Sequence, residues 1–454
     1  MVNLIELNES AFYSEDRIKS ENVQIEDFIT TDNLLSNKSG IRKSVITPKG
    51  TLIAYKKGDI LIGNIRPYLK KIWFADNDGG CSPDVLVIRS KPGYDPAFLY
   101  YTLLRDDFFD HMMRGAKGTK MPRGDKSQIM RFLIPDFEID DQEKIGNLLL
   151  EIDSKIALNN RINAELEAMA KTIYDYWFVQ FDFPSPSPLG RAGVGSPYKA
   201  SGGKMVWSDE LRREIPEGWE VKQLQELGDF KNGVNYDPSN PGKVACPIIN
   251  VRNISASSYF LKNEDLDIIY LNESDVKKYA VHQGSIIIAR SGIPGATRLI
   301  ADIADNTLYC GFAIHYELNN LDIKIPVFFY LKSIEQQIQN GSGGTILKNV
   351  NQATLNVLKI ALPQDEEVIL RFNKLIRPIF HKLNLIQKEN QKLTELRDWL
   401  LPMLMNGQIK IKDAEHLSSK ALAKDEKSYF TIATEDKLAM AAESELHYSR
   451  KSSK

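Results

Sequence analysis

The sequence predicts an α+β protein in which one unit occurs twice, each copy a mixed α/β domain followed by a long helix. Two apolar ladders and one repeated order of motifs support this. In the first ladder Ile145, Ile152, Asn159, Leu166 and Ile173 recur every seven residues. Leu149, Ile156, Asn163, Ala170 and Trp177 each follow four places later, which makes a heptad seam. In the second ladder Phe372, Ile379, Ile386, Leu393 and Leu400 keep the same step, 227 positions on when Phe372 is set against Ile145. Each ladder ends in a tryptophan pair, Trp177-Phe178 and Trp399-Leu400.

Seams of that length cannot stay in water, and the obvious partner for each helix is the other one. Five heptads make a rod of roughly 50 Å, long enough to hold the two preceding halves apart. Asn159, Asn163 and Asn390 sit where leucine would be more stable, and such residues trade stability for a unique register.

The order of motifs repeats as well. Gly58-Asp59 before Ile60-Leu61-Ile62 returns as Gly284-Ser285 before Ile286-Ile287-Ile288. Phe98-Leu99-Tyr100-Tyr101 returns as Phe328-Phe329-Tyr330-Leu331, and the strand closing at Pro135 returns as the one closing at Pro363. Offsets stay between 226 and 230, which marks an internal repeat. Strands are expected at Ile60-Leu61-Ile62, Ile72-Trp73-Phe74, Val85 to Ile88 and Phe132 to Pro135, with one helix between Asp95 and Met113. Asp140 with Glu143 reads as a capping box opening the first long helix. A stretch rich in Pro, Ser and Gly between 184 and 214 reads as a linker, and the polar tail from 413 to 454 as disordered.

At 454 residues the chain has room for two or three domains. It has no apolar run of membrane-crossing length and no basic, apolar start of a signal peptide, so no membrane role is expected. Cys81, Cys246 and Cys310 are isolated, which points to a reducing cytoplasm and away from disulfides or a zinc site. A net charge of −2 is uninformative as a sum, because acids gather at the helix starts and bases in particular loops.

Catalytic and metal-binding motifs are missing: there is no Walker loop, no His-Glu-x-x-His and no methyl-donor turn. The one nuclease-like string, Pro135-Asp136 with Asp153-Ser154-Lys155, puts its last part inside the heptad helix rather than on a strand. Basic loops carry more signal. Between His111 and Arg131 lie Lys117, Thr119, Lys120, Arg123 and Lys126 among glycines, a pattern suited to phosphate. Asn64, Arg66 and Tyr68 leave an apolar strand, as do Arg290 and Ser291 with Arg298 following; arginine to guanine and asparagine to adenine are the pairings that discriminate bases. Arg42, Lys43, Arg252, Lys348, Asn349 and Asn351 complete the candidate DNA-binding set. These residues leave three readings open: a DNA-recognition subunit, a coiled-coil adaptor that binds proteins only, or a DNA-modifying enzyme in its own right.

Residues 58–68, 149–160, 173–178, 215–221 and 396–407 together resemble the specificity subunit of type I restriction-modification systems, over roughly 21 to 412. The resemblance implies target-recognition domains at 1–139 and 215–363, and two long helices, 140–183 and 364–412, that pack antiparallel as a coiled coil. Each domain would read one half of a split double-stranded DNA target, with the helices as a ruler for the gap. The seam residues, with Trp177, Phe178, Trp399 and Leu400, would serve helix pairing and subunit contact. Implied partners are two methyltransferase (modification) subunits and the restriction (translocase/endonuclease) subunits. S-adenosylmethionine, ATP and Mg are expected in those partners, with no cofactor, metal or catalytic residue in this chain. The second half departs from the first in having fewer bases in its glycine loop at 341–344, and Pro378 is a candidate kink in the second helix.

Overall fold

A computed structural model of the chain describes residues 3–185, 196–236, 242–263, 266–339, 350–409, 411–414, 416 and 418. The chain divides into two compact units, Met1–Asn159 with Glu389–Lys454, and Asn160–Lys388.

Both units are built on the same antiparallel four-stranded sheet. In the first the spatial order is Ala11–Tyr13, Val85–Ser90, Ile60–Gly63, Ile72–Phe74. In the second it is Gly228–Asn232, Ala313–Leu318, Ile286–Ala289, Thr297–Leu299. The turn feeding the central strand keeps the same hydrogen-bond pattern in both units. Gly58 and Gly284 take φ of +90° and +84°, a region that costs a residue with a Cβ about 1–2 kcal/mol. The next side chain then closes the turn: Asp59 Oδ2 accepts the Lys56 N–H at 2.8 Å, and Ser285 Oγ accepts the His282 N–H at 3.0 Å. A small outer sheet differs between the units. It has four strands in the first (Arg17–Lys19, Thr51–Tyr55, Gly79–Cys81, Phe28–Ile29) and three in the second (Asp267–Leu271, Val244–Ile249, Leu308–Tyr309).

The helix expected between Asp95 and Met113 is two helices, Pro96–Leu103 and Asp106–Arg114. Arg105 is extended between them, and Asp106 and Asp107 open a fresh first turn where carboxylates favour a helix N-terminus. The buried pattern of Phe98, Tyr101, Leu104, Phe108 and Phe109 survives the break. Within the expected linker, Met205–Ser208 pairs with Arg213–Pro216 and Tyr198 stacks on Phe183 with ring centres 4.8 Å apart. Residues 186–195 and most of the tail fall outside the described residues; of the tail, Ala414 is buried in the core of the first unit.

The first long helix is Ile139–Tyr174, continued by a wider π turn at Asp175–Val179; the second is Glu366–Met405 and passes through Pro378. The first starts one residue before Asp140, so Asp140 and Asp141 lie in its first turn. In the first unit Asn159 meets Asn390 at 2.9 Å and Asp153 meets Arg397 at 2.8 Å, so the two helices run antiparallel there. Ile145, Ile152, Asn159, Leu393 and Leu400 are buried in this unit; Phe372 and Ile386 are buried in the second, where Leu166, Ile173 and Ile379 are half-buried. Sealing each such large apolar side chain from water contributes roughly 1.5–3 kcal/mol.

Candidate nucleic-acid interface

In the first unit three loops meet around the end of strand Ile60–Gly63. The Arg66 N–H donates to Pro122 O at 2.8 Å, and the Gly124 N–H to Asn64 O at 3.2 Å. On the other side the Asn37 and Lys38 N–H groups donate to Leu69 O and Lys70 O at 2.8 and 2.9 Å. Arg66, Lys70, Asn37 and Lys38 all have positive φ, between +50° and +59°. Each non-glycine residue held there stores roughly 1–2 kcal/mol of backbone strain, and such strain clusters at functional sites.

Side chains of this region fall into two groups. The exposed bases have local acids: Lys117 pairs with Asp125 at 2.9 Å, Arg123 with Asp84 at 3.1 Å, and Lys43 with Glu26. Lys117 in turn holds the Asp125 carboxyl below the usual range, helped by the Gln128 N–H. Exposed pairs of this kind are worth about 0–1 kcal/mol, so a phosphate can replace the carboxylate at little cost. Lys120, Thr119 and Arg42 are exposed, Tyr68 is half-exposed, and the Lys126 ammonium lies 5.5 Å from the centre of the Tyr13 ring. Asn64 and Arg66 form the second group. Asn64 Oδ1 and Arg66 Nε are sealed from solvent with no hydrogen-bond partner among the described residues, a state that costs about 1–3 kcal/mol for each buried polar atom.

Lys38 and Lys70 were not among the residues singled out above. Both reach Asp106 Oδ1, at 2.7 and 2.8 Å, and hold that carboxyl below its usual range. Asn37, a residue tolerant of left-handed backbone, was the available signal in the sequence.

In the second unit Arg290 leaves strand Ile286–Ala289 at the position Asn64 occupies in the first. Its Nη1 donates to Gly311 O at 3.2 Å, and Ser291 beside it is exposed. Arg252, on the short helix Val251–Ser255, pairs with Asp267 at 2.6 Å. Arg298 must be corrected. It is buried, its Nη1 bonds Glu335 at 3.1 Å, and its Nε donates to Ile254 O and Ser257 O at 3.0 and 2.7 Å. A guanidinium with all those partners inside the fold fastens the sheet to helix Lys324–Gln339 and does not face a ligand. Asn351 caps the helix Gln352–Asn356, its Oδ1 accepting the Thr354 N–H at 2.9 Å. Lys348, Asn349 and the glycine loop at 341–344 lie outside the described residues.

The aromatic helix-end residues separate. Trp177 and Phe178 are buried against Phe372 in the second unit, with ring centres 5.6 and 4.8 Å away, whereas Trp399 in the first is 47% exposed. Asp153 is occupied by Tyr101 and Arg397, and Lys155 by Glu389, which leaves neither for a nuclease centre. Among the described residues no group of His, Cys, Asp and Glu is placed to hold a metal ion, and no helix is long and apolar enough to cross a membrane. All three cysteines are buried, and burial pushes the Cys81 thiol up to about 12.

The chain thus carries an α+β unit that occurs twice, two long helices, and in each unit a polar loop at the end of the equivalent strand. The family model described as the type I restriction modification DNA specificity domain matches residues 3–168 and 216–397, and the chain belongs to that family. It is 28% identical over 447 residues to the type I restriction enzyme HindI specificity subunit of Haemophilus influenzae, covering 84% of this chain and 94% of that one. It is 23% identical to the MjaIX specificity subunit of Methanocaldococcus jannaschii, over 80% of each. The crystal structure of a type I restriction-modification system S subunit from M. genitalium shares the fold, with a TM-score of 0.52, 15% identity and coverage of 89% of this chain and 96% of that one.

Proposed function

We propose that this chain is the non-catalytic, sequence-reading subunit of a type I restriction-modification complex. Each unit reads one half of a split double-stranded DNA target, while the long helices set the gap and dock two methyltransferase subunits. One observation supports this above the rest: matched sheets in the two units each release an arginine-bearing polar loop from the end of the same strand, at Asn64 to Arg66 and Arg290 to Ser291. Two readers on one chain suit a target in two halves. Lys43, Lys117, Arg123 and Arg252 exchange their carboxylates for phosphates, Arg42, Lys120 and Lys126 add further positive charge, and Thr119, Tyr68 and Asn351 are polar candidates, so binding weakens steeply with salt. Methyl transfer and cleavage, with S-adenosylmethionine, ATP and Mg, belong to the modification and restriction subunits. The complex works in the cytoplasm, where its DNA is.

Selection from a randomised duplex library by the purified chain with its modification subunits tests this. The expected winner is a pair of short half-targets at one fixed gap. A single continuous motif overturns the two-reader proposal. No DNA selection, with the subunits still bound, supports a protein adaptor; cleavage or methylation by the chain alone supports an independent enzyme.

A further inference from the structure

The two loops described above occupy equivalent places in their sheets. Counting from strands Ile60–Gly63 and Ile286–Ala289, the third residue onward is Arg66 in one unit and Gly292 in the other. Both adopt positive φ, +53° and +74°. The turn therefore requires a left-handed residue, and in the second unit glycine supplies it without strain. The first unit meets the same requirement with an arginine, whose Nε is enclosed and unpartnered. Among the described residues no side-chain hydrogen bond of Arg66 is made, which leaves its guanidinium donors for a ligand.

Its donors narrow the ligand: guanine N7 and O6 lie side by side in the major groove and accept the paired N–H groups of one guanidinium. We propose that Arg66 reads a guanine in the half-target of the first unit. This rests on the DNA-reading function proposed above, and assigns its base class and its residue.

The test compares the full chain, purified with its modification subunits, as wild type, Arg66→Gly and Arg66→Lys. Each is put through selection on a randomised duplex library and through thermal melting. Wild type is expected to require a G·C pair in one half-target. Arg66→Gly should relax preference at that pair by about ten- to a hundredfold and Arg66→Lys by less, leaving the other half-target and the gap unchanged. Arg66→Gly should melt no lower than wild type, because glycine relieves the strained backbone. Full specificity retained by Arg66→Gly, with affinity lowered at every sequence alike, would mean a phosphate contact and overturn the proposal. So would a lowered melting temperature in Arg66→Gly with an unchanged motif, which would mean a structural arginine. Relaxation at an A·T pair alone would overturn the choice of guanine. If wild type itself selects no split target, the proposed function falls, and this assignment with it.

Discussion

The two units carry one sheet on two kinds of foundation. In the first, an apolar core is supplemented by a polar fastening: Asp153 on the long helix accepts from the Tyr101 hydroxyl at 2.6 Å and from Arg397 Nη1 at 2.8 Å. In the second, the same place is aromatic. Phe329 and Phe380, the latter 227 positions beyond Asp153, have ring centres 5.7 Å apart, and Tyr174, Phe178 and Phe372 close around them. The loops diverge likewise: the arginine of the first is unpartnered at Nε, while Arg290 in the second is bonded to the Gly311 carbonyl. The backbone pattern is thus held by the sheet and its turns, and side-chain chemistry at both foundation and loop is free to differ.

The sharpest break in this comparison is Phe372→Ala. Phe372 is fully buried amid the aromatic cluster, and its truncation should cost about 3–5 kcal/mol in chemical denaturation. A second difference is acid sensitivity. In the matched sheets Leu61 faces Val87, whereas Ile287 faces His315. Burial pushes the His315 imidazolium down from 6.5 to about 4, with Glu317 opposing and Lys231 and His282 adding to the shift. The depressed folded value means that the unfolded chain binds the extra proton between those pH values. His315 therefore contributes stability that is present above pH 6.5 and lost as pH falls toward 4, on the order of 3 kcal/mol. His315→Gln should flatten that part of the stability–pH curve; an identical slope in the variant would refute it. Next comes Asp153→Ala, expected to cost about 1–3 kcal/mol because Tyr101 and the mostly buried Arg397 lose their acceptor. Smallest is Lys117→Ala, whose exposed pair changes stability by less than about 1 kcal/mol. It should nevertheless lower the slope of log DNA affinity against log salt by about one.

What the sequence disclosed was local or periodic. The heptad positions, the Gly58 and Gly284 turns and the strand Leu133–Pro135 depend on residues within a few places of one another. What it hid was the partner of each charge. Arg298 looks like any loop arginine until Glu335, 37 positions on, is seen to bury it. Lys38 and Lys70 are ordinary surface lysines until the chain brings both to Asp106. The break at Arg105 was masked because the apolar spacing continues across it. Arg66 was legible as a polar residue at a strand end, but its meaning needed the backbone angle it shares with Gly292.

The most direct measurement of the central claim, that two units on one chain read two separated half-targets, is a genome-wide map of methylated adenines. It would be made in cells producing this chain with the modification subunits of its system, alongside the Arg66→Gly variant. The predicted result is one split motif with a constant gap for the wild type, and for the variant relaxed preference in a single half only. A continuous motif, half-motifs at variable gaps, or a variant that alters both halves together would contradict it.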